Sequence, residues 1–302
     1  MDEALVIARL VHFASAMAAF GATAFRLYAL DLTREGAERA AARLGDWNNN
    51  LFFISALVML ASGLAIVPCV TARIAGTVGA AFDPETIGTV LSRTEFGRVW
   101  CLHLLFTVLL MVSATIATHR RALKLSCAAL ALASLGWAGH AAGGSGFAGL
   151  ARELNQSIHL LAAGLWLGGL LPLGWLLRQS DEERFGQLAA EALPAFSYMG
   201  YGAVAVIAIT GIVNTSIFAG SFEALTSSDY GQLLSLKVVL YLAMVGIALR
   251  NRFRLMPRIA NRDARANRAL YSSVIAEQAL GLGILAAVSL LGTWPPPVMH
   301  HQ

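Results

Sequence analysis

Eight stretches of this chain are apolar over the roughly 20 residues that a helix needs to cross hydrocarbon. They run over 5–30, 47–70, 98–118, 122–142, 155–177, 196–219, 232–249 and 272–294. Hydrocarbon offers no water to an unpaired peptide group, so each run has to close its backbone hydrogen bonds within itself, which a helix does. The reading is an all-α integral membrane protein of eight transmembrane helices. The longest connections, 71–97 and 250–271, are too short for a separate folded module, so 1–302 is read as one membrane domain. Composition agrees, with 13% charged residues against about 25% in an ordinary soluble domain. The acidic start MDEALV has no small-residue cleavage site behind it, so the first run is expected to stay as a helix rather than leave as a signal peptide.

Orientation follows from Lys and Arg in the connections. Arg34, Arg39 and Arg43 follow run 1, Arg120, Arg121 and Lys124 follow run 3, and Arg178 and Arg184 follow run 5. Seven arginines lie between Arg250 and Arg268 after run 7, whereas the opposite ends hold only Arg9, Arg73, Arg93, Arg98 and Arg152. The basic ends are therefore expected in the cytoplasm and both termini on the outer side. The net charge of +4 then reflects topology and anionic lipid head groups rather than nucleic acid.

The chain also repeats itself. Thr94-Glu95-Phe96-Gly97 introduces run 3 and Ser228-Asp229-Tyr230-Gly231 introduces run 7, and in that frame His103 stands opposite Lys237. Run 1 has His12-Phe-Ala-Ser-Ala with Gly21 nine residues on; run 5 has His159-Leu-Leu-Ala-Ala with Gly168 nine residues on. Ser62-Gly63-Leu64 and Thr210-Gly211-Ile212 correspond more loosely. These matches predict a 4+4 parallel repeat with halves at about 1–142 and 150–302, a plan familiar in transporters. Runs 1 and 5 then face each other at the centre, where Gly164 and Gly168 meet Ala14, Ala18 and Ala22 as small-residue ridges.

Ionisable side chains in a span are costly and ask for a reason. His12 lies about 10 Å and His103 about 8 Å inside the outer ends of their helices, at 1.5 Å per residue. His140 closes run 4 and His159 opens run 5, so four imidazoles share the periplasmic third. Neutral imidazole suits copper, zinc, iron and nickel, and no thiolate or acidic cage accompanies these four. His119 falls beside Arg120 on the basic side. Cys69, Cys101 and Cys127 form no CxxC pair and read as packing residues. Met17, Met59 and Met111 offer thioethers suited to Cu(I) but are equally ordinary gap fillers. Lys237 near the outer end of run 7 and Glu277 on the inner third of run 8 are further polar positions that can line a pathway. Glu95 and Asp229 read as helix-start residues. Trp166, seven residues after His159 and on the same face, is either a packing residue or a neighbour of the metal. The tail His300 and His301 can collect metal or lie idle.

Arg9-Leu-Val-His12-Phe13, Thr94-Glu-Phe-Gly97, Gly139-His140-Ala141, His159-Leu-Leu-Ala-Ala-Gly-Leu-Trp166-Leu-Gly168, Tyr230-Gly231 before Lys237, and Asn251-Arg252 together resemble the CopD/PcoD family of bacterial inner-membrane copper proteins. The resemblance runs in order along most of the chain. It implies eight helices, copper import into the cytoplasm, a periplasmic CopC-like copper carrier as partner, and His12, His140 and His159 as copper candidates; His103 joins them from depth alone. The chain has no phosphate-binding loop, so the driving force is a gradient or a cytoplasmic sink, and it reads as a transporter rather than an enzyme. Two other readings use the same residues. One is a membrane cytochrome with bis-His haem, on His12 with His159 or His103 with His140; the other is a protein that binds copper without moving it.

Overall fold

The computed structural model describes residues 2–30, 38–116, 120–138, 146–219, 227–260 and 264–295, and every regular element among them is helical. In chain order these are α1 (Asp2–Tyr28), α2 (Glu38–Ala75), a 3-10 turn (Val78–Phe82), α3 (Pro84–Arg93), α4 (Glu95–Ile116), α5 (Arg121–Ser134) and α6 (Gly146–Arg178). They continue as α7 (Glu183–Ala219), α8 (Asp229–Arg250), a π-helical turn (Asn251–Leu255), α9 (Met256–Ala260) and α10 (Ala264–Leu291). Among the described residues seven helices, α1, α2, α4, α6, α7, α8 and α10, are long and apolar enough to cross a membrane. Large apolar side chains stand exposed along them, such as Leu105, Val108 and Leu109 on α4 and Val239 and Leu242 on α8. That is the surface a lipid-embedded chain presents.

The fourth apolar run is shorter than its sequence suggests. α5 is 14 residues long, about 21 Å of helix, and the chain then turns through 135–138. α6 arrives at that point: Ser157 Oγ donates to the Ala133 carbonyl at 2.8 Å, and a Cβ on Gly136 would stand 2.6 Å from the same hydroxyl. The connection read at 71–97 carries structure of its own. α3 starts with Asp83 as its N-cap and Pro84 in the first turn, and the Asp83 carboxylate accepts from the Thr86 amide at 3.1 Å. α4 and α8 are capped alike. Thr94 Oγ1 accepts from Gly97 N and Ser228 Oγ accepts from Gly231 N, both at 3.0 Å, leaving Glu95 and Asp229 in the first turn, where a negative charge favours the helix dipole.

α1 lies at the centre, packed against α2, α5, α6 and α10. Its crossing with α6 is made by glycines, Gly21 resting on Gly164 and Gly168, so backbone meets backbone as small residues allow within a membrane. One apolar core gathers α1, α2, α4 and α5, and holds Met17 and Met59 as buried packing residues. A second gathers the later half of α6 with α7, α8 and α10. Cys69, Cys101 and Cys127 are free. The two ends of the bundle are distinct. Arg43 pairs with Glu182 at 3.1 Å at one end, while the Arg9 and Arg73 guanidinium groups reach Gly292 and the Thr293 carbonyl at the other.

Candidate functional site

The α1–α2–α4–α5 core encloses two imidazoles in direct contact. His12 from α1 is 1% exposed and His103 from α4 is 0% exposed, and their Nε2 atoms lie 2.8 Å apart. The rings meet edge to face with centroids 4.9 Å apart. Trp100, one turn before His103 on the same face, covers both rings at 5.5 and 4.8 Å and is fixed by its indole N–H on the Gly63 carbonyl at 3.0 Å. Gly63 leaves room for the ring edge, since a Cβ there would fall 3.1 Å from His12 Cε1.

The other nitrogen of each ring is held by a serine. His12 Nδ1 lies 2.9 Å from Ser62 Oγ, and His103 Nδ1 lies 2.8 Å from Ser134 Oγ. Each serine proton already lies on a carbonyl of its own helix, Ser62 on Val58 at 2.7 Å and Ser134 on Ala131 at 2.9 Å. Ring nitrogens 2.8 Å apart share a proton, so one ring donates Nε2–H to the other. To offer both Nε2 lone pairs to an ion, the donating ring moves its proton to Nδ1, where its serine can accept it because the serine's own proton lies on a helix carbonyl. A metal-binding histidine is oriented in the same way, its second nitrogen donating to a fixed acceptor. An ion about 2 Å from each nitrogen needs the two Nε2 atoms about 3.3 to 4 Å apart, so the rings part by an ångström or so to take it.

His159 lies elsewhere. It is buried on α6 with Nδ1 2.8 Å from Thr210 Oγ1 of α7, and Thr210 donates its proton to the Val206 carbonyl at 2.6 Å, so this ring carries Nδ1–H. Among the described residues no second imidazole stands across from its Nε2 as His103 does for His12. Instead His159 lines a cavity of about 850 Å³ with Trp166, Lys237 and Tyr241. Nearer the outer end, Asn155 donates to Asn214 Oδ1 at 2.9 Å and Asn214 to Gln156 Oε1 at 2.8 Å, a polar seam between α6 and α7. The structure therefore joins His12 to His103 and leaves His159 in a separate setting; among the described residues no group of three or more His, Cys, Asp or Glu side chains can hold a metal together. His140 lies outside the described residues, as do His119, His300 and His301. The residues that sequence reasoning missed are Trp100, Thr107 and Ser134. Thr107 Oγ1 sits 3.4 Å from His103 Nε2; the signal available for Trp100 and Thr107 was an indole and a hydroxyl one turn from His103 inside a span, and Ser134 had no such signal.

Fold and site define a multi-pass helical membrane protein with a braced, buried imidazole pair. Residues 1–150 match the family described as "Copper resistance protein D-like, N-terminal domain", and residues 190–291 match "Copper resistance protein D". The chain is 31% identical to "Inner membrane protein YebZ" of Escherichia coli (strain K12) over 292 residues, which cover 95% of this chain and 97% of that one. It is 29% identical to "Copper resistance protein D" of Pseudomonas syringae pv. tomato over 98% of each chain. "Copper transport protein CutJ" of Bacillus subtilis (strain 168) is 28% identical over 75% of this chain and 42% of its own length. No solved structure matches. The chain belongs to the copper resistance protein D family and is a multi-pass inner-membrane protein.

Proposed function

We propose that this protein moves copper across the inner membrane, from periplasm to cytoplasm, and that the His12–His103 pair is the seat at which the ion enters. The observation that carries this is the buried imidazole pair with Nε2 atoms 2.8 Å apart, each ring fixed from behind by a serine. Two σ-donor nitrogens in an apolar enclosure suit a soft or borderline ion such as copper. The relatives named for copper resistance and copper transport point to the same cargo. His159 holds the corresponding position in the second half, and His140 belongs to the same outer group.

The orientation is the one that basic connections dictate: both termini outside, eight spans with α5 as the shortest, and the histidine end facing the periplasm. The 4+4 repeat is supported by matching contacts. His12–Ser62 and His159–Thr210 are the same bond made between corresponding helices, and the Thr94 and Ser228 caps are the same cap. A periplasmic CopC-like carrier is the partner that delivers the ion, and a gradient or a cytoplasmic sink supplies the drive.

The test is metal content and flux of the full chain. Purified protein loaded with Cu(I) and passed through a desalting column is expected to retain copper, and His12→Ala and His103→Ala are each expected to lose most of it and to abolish uptake into vesicles. Unchanged copper and uptake in both variants overturn the site. An intense Soret band in the purified protein overturns the cargo. Copper retained without flux makes the protein a binder only.

A further inference from the structure

Trp100 and His103 fill the space between α2 and α4. The indole donates to the Gly63 carbonyl, the imidazole reaches His12, and the two helices are packed together. In the frame that sets Thr94–Gly97 on Ser228–Gly231, those two positions are Leu234 and Lys237. Neither can make the same bonds, since leucine has no N–H to give and lysine has no ring. α7 packs on α6 and α8 on α10, but α7 and α8 make little contact with each other. The space left beside them is the cavity of about 850 Å³. It is bridged toward the basic end, where the Tyr241 hydroxyl donates to the Val204 carbonyl at 2.9 Å.

This space opens sideways, to the bilayer. Ile212 on α7 and Val239 and Leu242 on α8 belong to its lining and stand 71%, 60% and 58% exposed. Along α8 it runs from Leu234 to Met244, about 15 Å of helix. Its hydroxyls, Thr215, Ser216 and Ser235, lie toward the histidine end of the bundle, while the lining further in is apolar, as at Ile207 and Met244. A lipid in that leaflet has the same polarity, with its head outward and its chain inward. The one charged group on the wall is Lys237. Its long stem lets the ammonium rise toward the hydroxyls. Among the described residues the ion pair is Arg43 with Glu182, so no carboxylate there neutralises Lys237, and an intramembrane cation calls for a partner.

We propose that the groove between α7 and α8 binds an anionic phospholipid, one acyl chain lying between the two helices and the phosphate drawn to Lys237. A zwitterionic lipid fills the same groove but brings no net charge to the ammonium. The anionic one satisfies both the apolar wall and the cation. The inference goes beyond copper transport and does not depend on it.

The experiment reads Trp166, which lines the groove, in the full chain in phosphatidylcholine vesicles. Bromine on an acyl chain quenches an indole that it touches, and the part due to Trp166 is the difference between the chain and Trp166→Phe. At equal mole fraction, brominated phosphatidylglycerol is expected to occupy the groove about fivefold more readily than brominated phosphatidylcholine, the preference that one basic side chain gives an anionic lipid. Lys237→Met is expected to lose that preference and keep the quenching. Lys237→Arg, which keeps the charge, is expected to keep both, so a loss of fold is not mistaken for a loss of site. Leu242→Trp, at the exposed mouth, supplies a second reporter if Trp166→Phe does not fold. Equal quenching by the two lipids, or a preference that survives Lys237→Met, overturns the site. Quenching by neither lipid in a chain that sediments as a dimer gives the groove to a second copy and overturns it as well.

Discussion

Gly21 and Gly168 touch backbone to backbone where α1 crosses α6. A Cβ added to Gly21 would lie 2.6 Å from Gly168 Cα, and one added to Gly168 would lie 2.8 Å from Gly21 Cα. Neither helix can yield alone, because α1 is packed on α2 and α5 and α6 on α7 and α10. Gly21→Ala and Gly168→Ala are each expected to destabilise the fold by about 1–3 kcal/mol, the usual cost of overpacking, read as a lower thermal midpoint in detergent. Gly200→Ala on α7 meets nothing within 4 Å and is expected to hold or raise that midpoint by helix propensity.

The serines behind the imidazoles can accept Nδ1–H from both rings and so free both Nε2 atoms for an ion, which is why they are expected to decide affinity. In Ser62→Ala a His12 Nδ1–H has no acceptor, and the ring keeps its proton on Nε2 against His103. The gap then stays closed by that proton and one lone pair is lost to the ion. Ser62→Ala and Ser134→Ala are each expected to lower copper affinity 10–100-fold, the range seen when a ligand's outer partner is removed, in a competition titration against a chelator. Equal affinity in both variants would show that the rings are set by something other than the hydroxyls.

Much of this arrangement was legible in the chain, and the parts that were not have physical reasons. Helical class, membrane class and family follow from run length and from motifs that keep their order. The depth of His12 and His103 came from counting residues along a span. Their contact did not, because depth says nothing of rotation about the helix axis. Gly21 meets Gly168 where α1 crosses α6, but His12 and His159 are nine residues before that crossing, about 13 Å along each axis, where crossing helices have splayed. Each histidine therefore finds its partner within its own half. α3 is legible from Asp83, Pro84 and Thr86, an N-cap followed by proline at the first helical position, inside a connection whose length alone says only that it holds no separate module.

That cap carries a pH dependence outside the membrane. Thr86 donates to the Asp83 carboxylate through both its hydroxyl and its amide, and these bonds hold the carboxyl below its ordinary value. A group whose folded value is depressed stabilises the fold above its unfolded value, about 3.9 for aspartate, and loses that contribution as the pH falls through the folded value. The first-turn amides of α3 are expected to be protected from hydrogen exchange near neutral pH and to lose protection below about pH 4. In Asp83→Ala they are expected to exchange faster at every pH, with the spans unaffected.

The proposed repeat sets His103 opposite Lys237, and a substitution at Lys237 tests the repeat and the site together. His12 and His159 are held alike by Ser62 and Thr210, and Gly63 and Gly211 both leave room beside the ring, a Cβ on Gly211 falling 3.7 Å from His159 Cε1. Across from His12 stands a second imidazole; in the corresponding frame of the proposed repeat stands Lys237, on the wall of the cavity that His159 lines. An ammonium repels a cation that the His159 lone pair would otherwise attract. Lys237→His removes that charge and supplies a second donor at the edge of the same cavity. The expected outcome is a rise from one copper bound per chain to two, measured by metal analysis of the purified protein, and a return to one on adding His159→Ala. If Lys237→His still binds a single copper, position 237 is not the counterpart of His103.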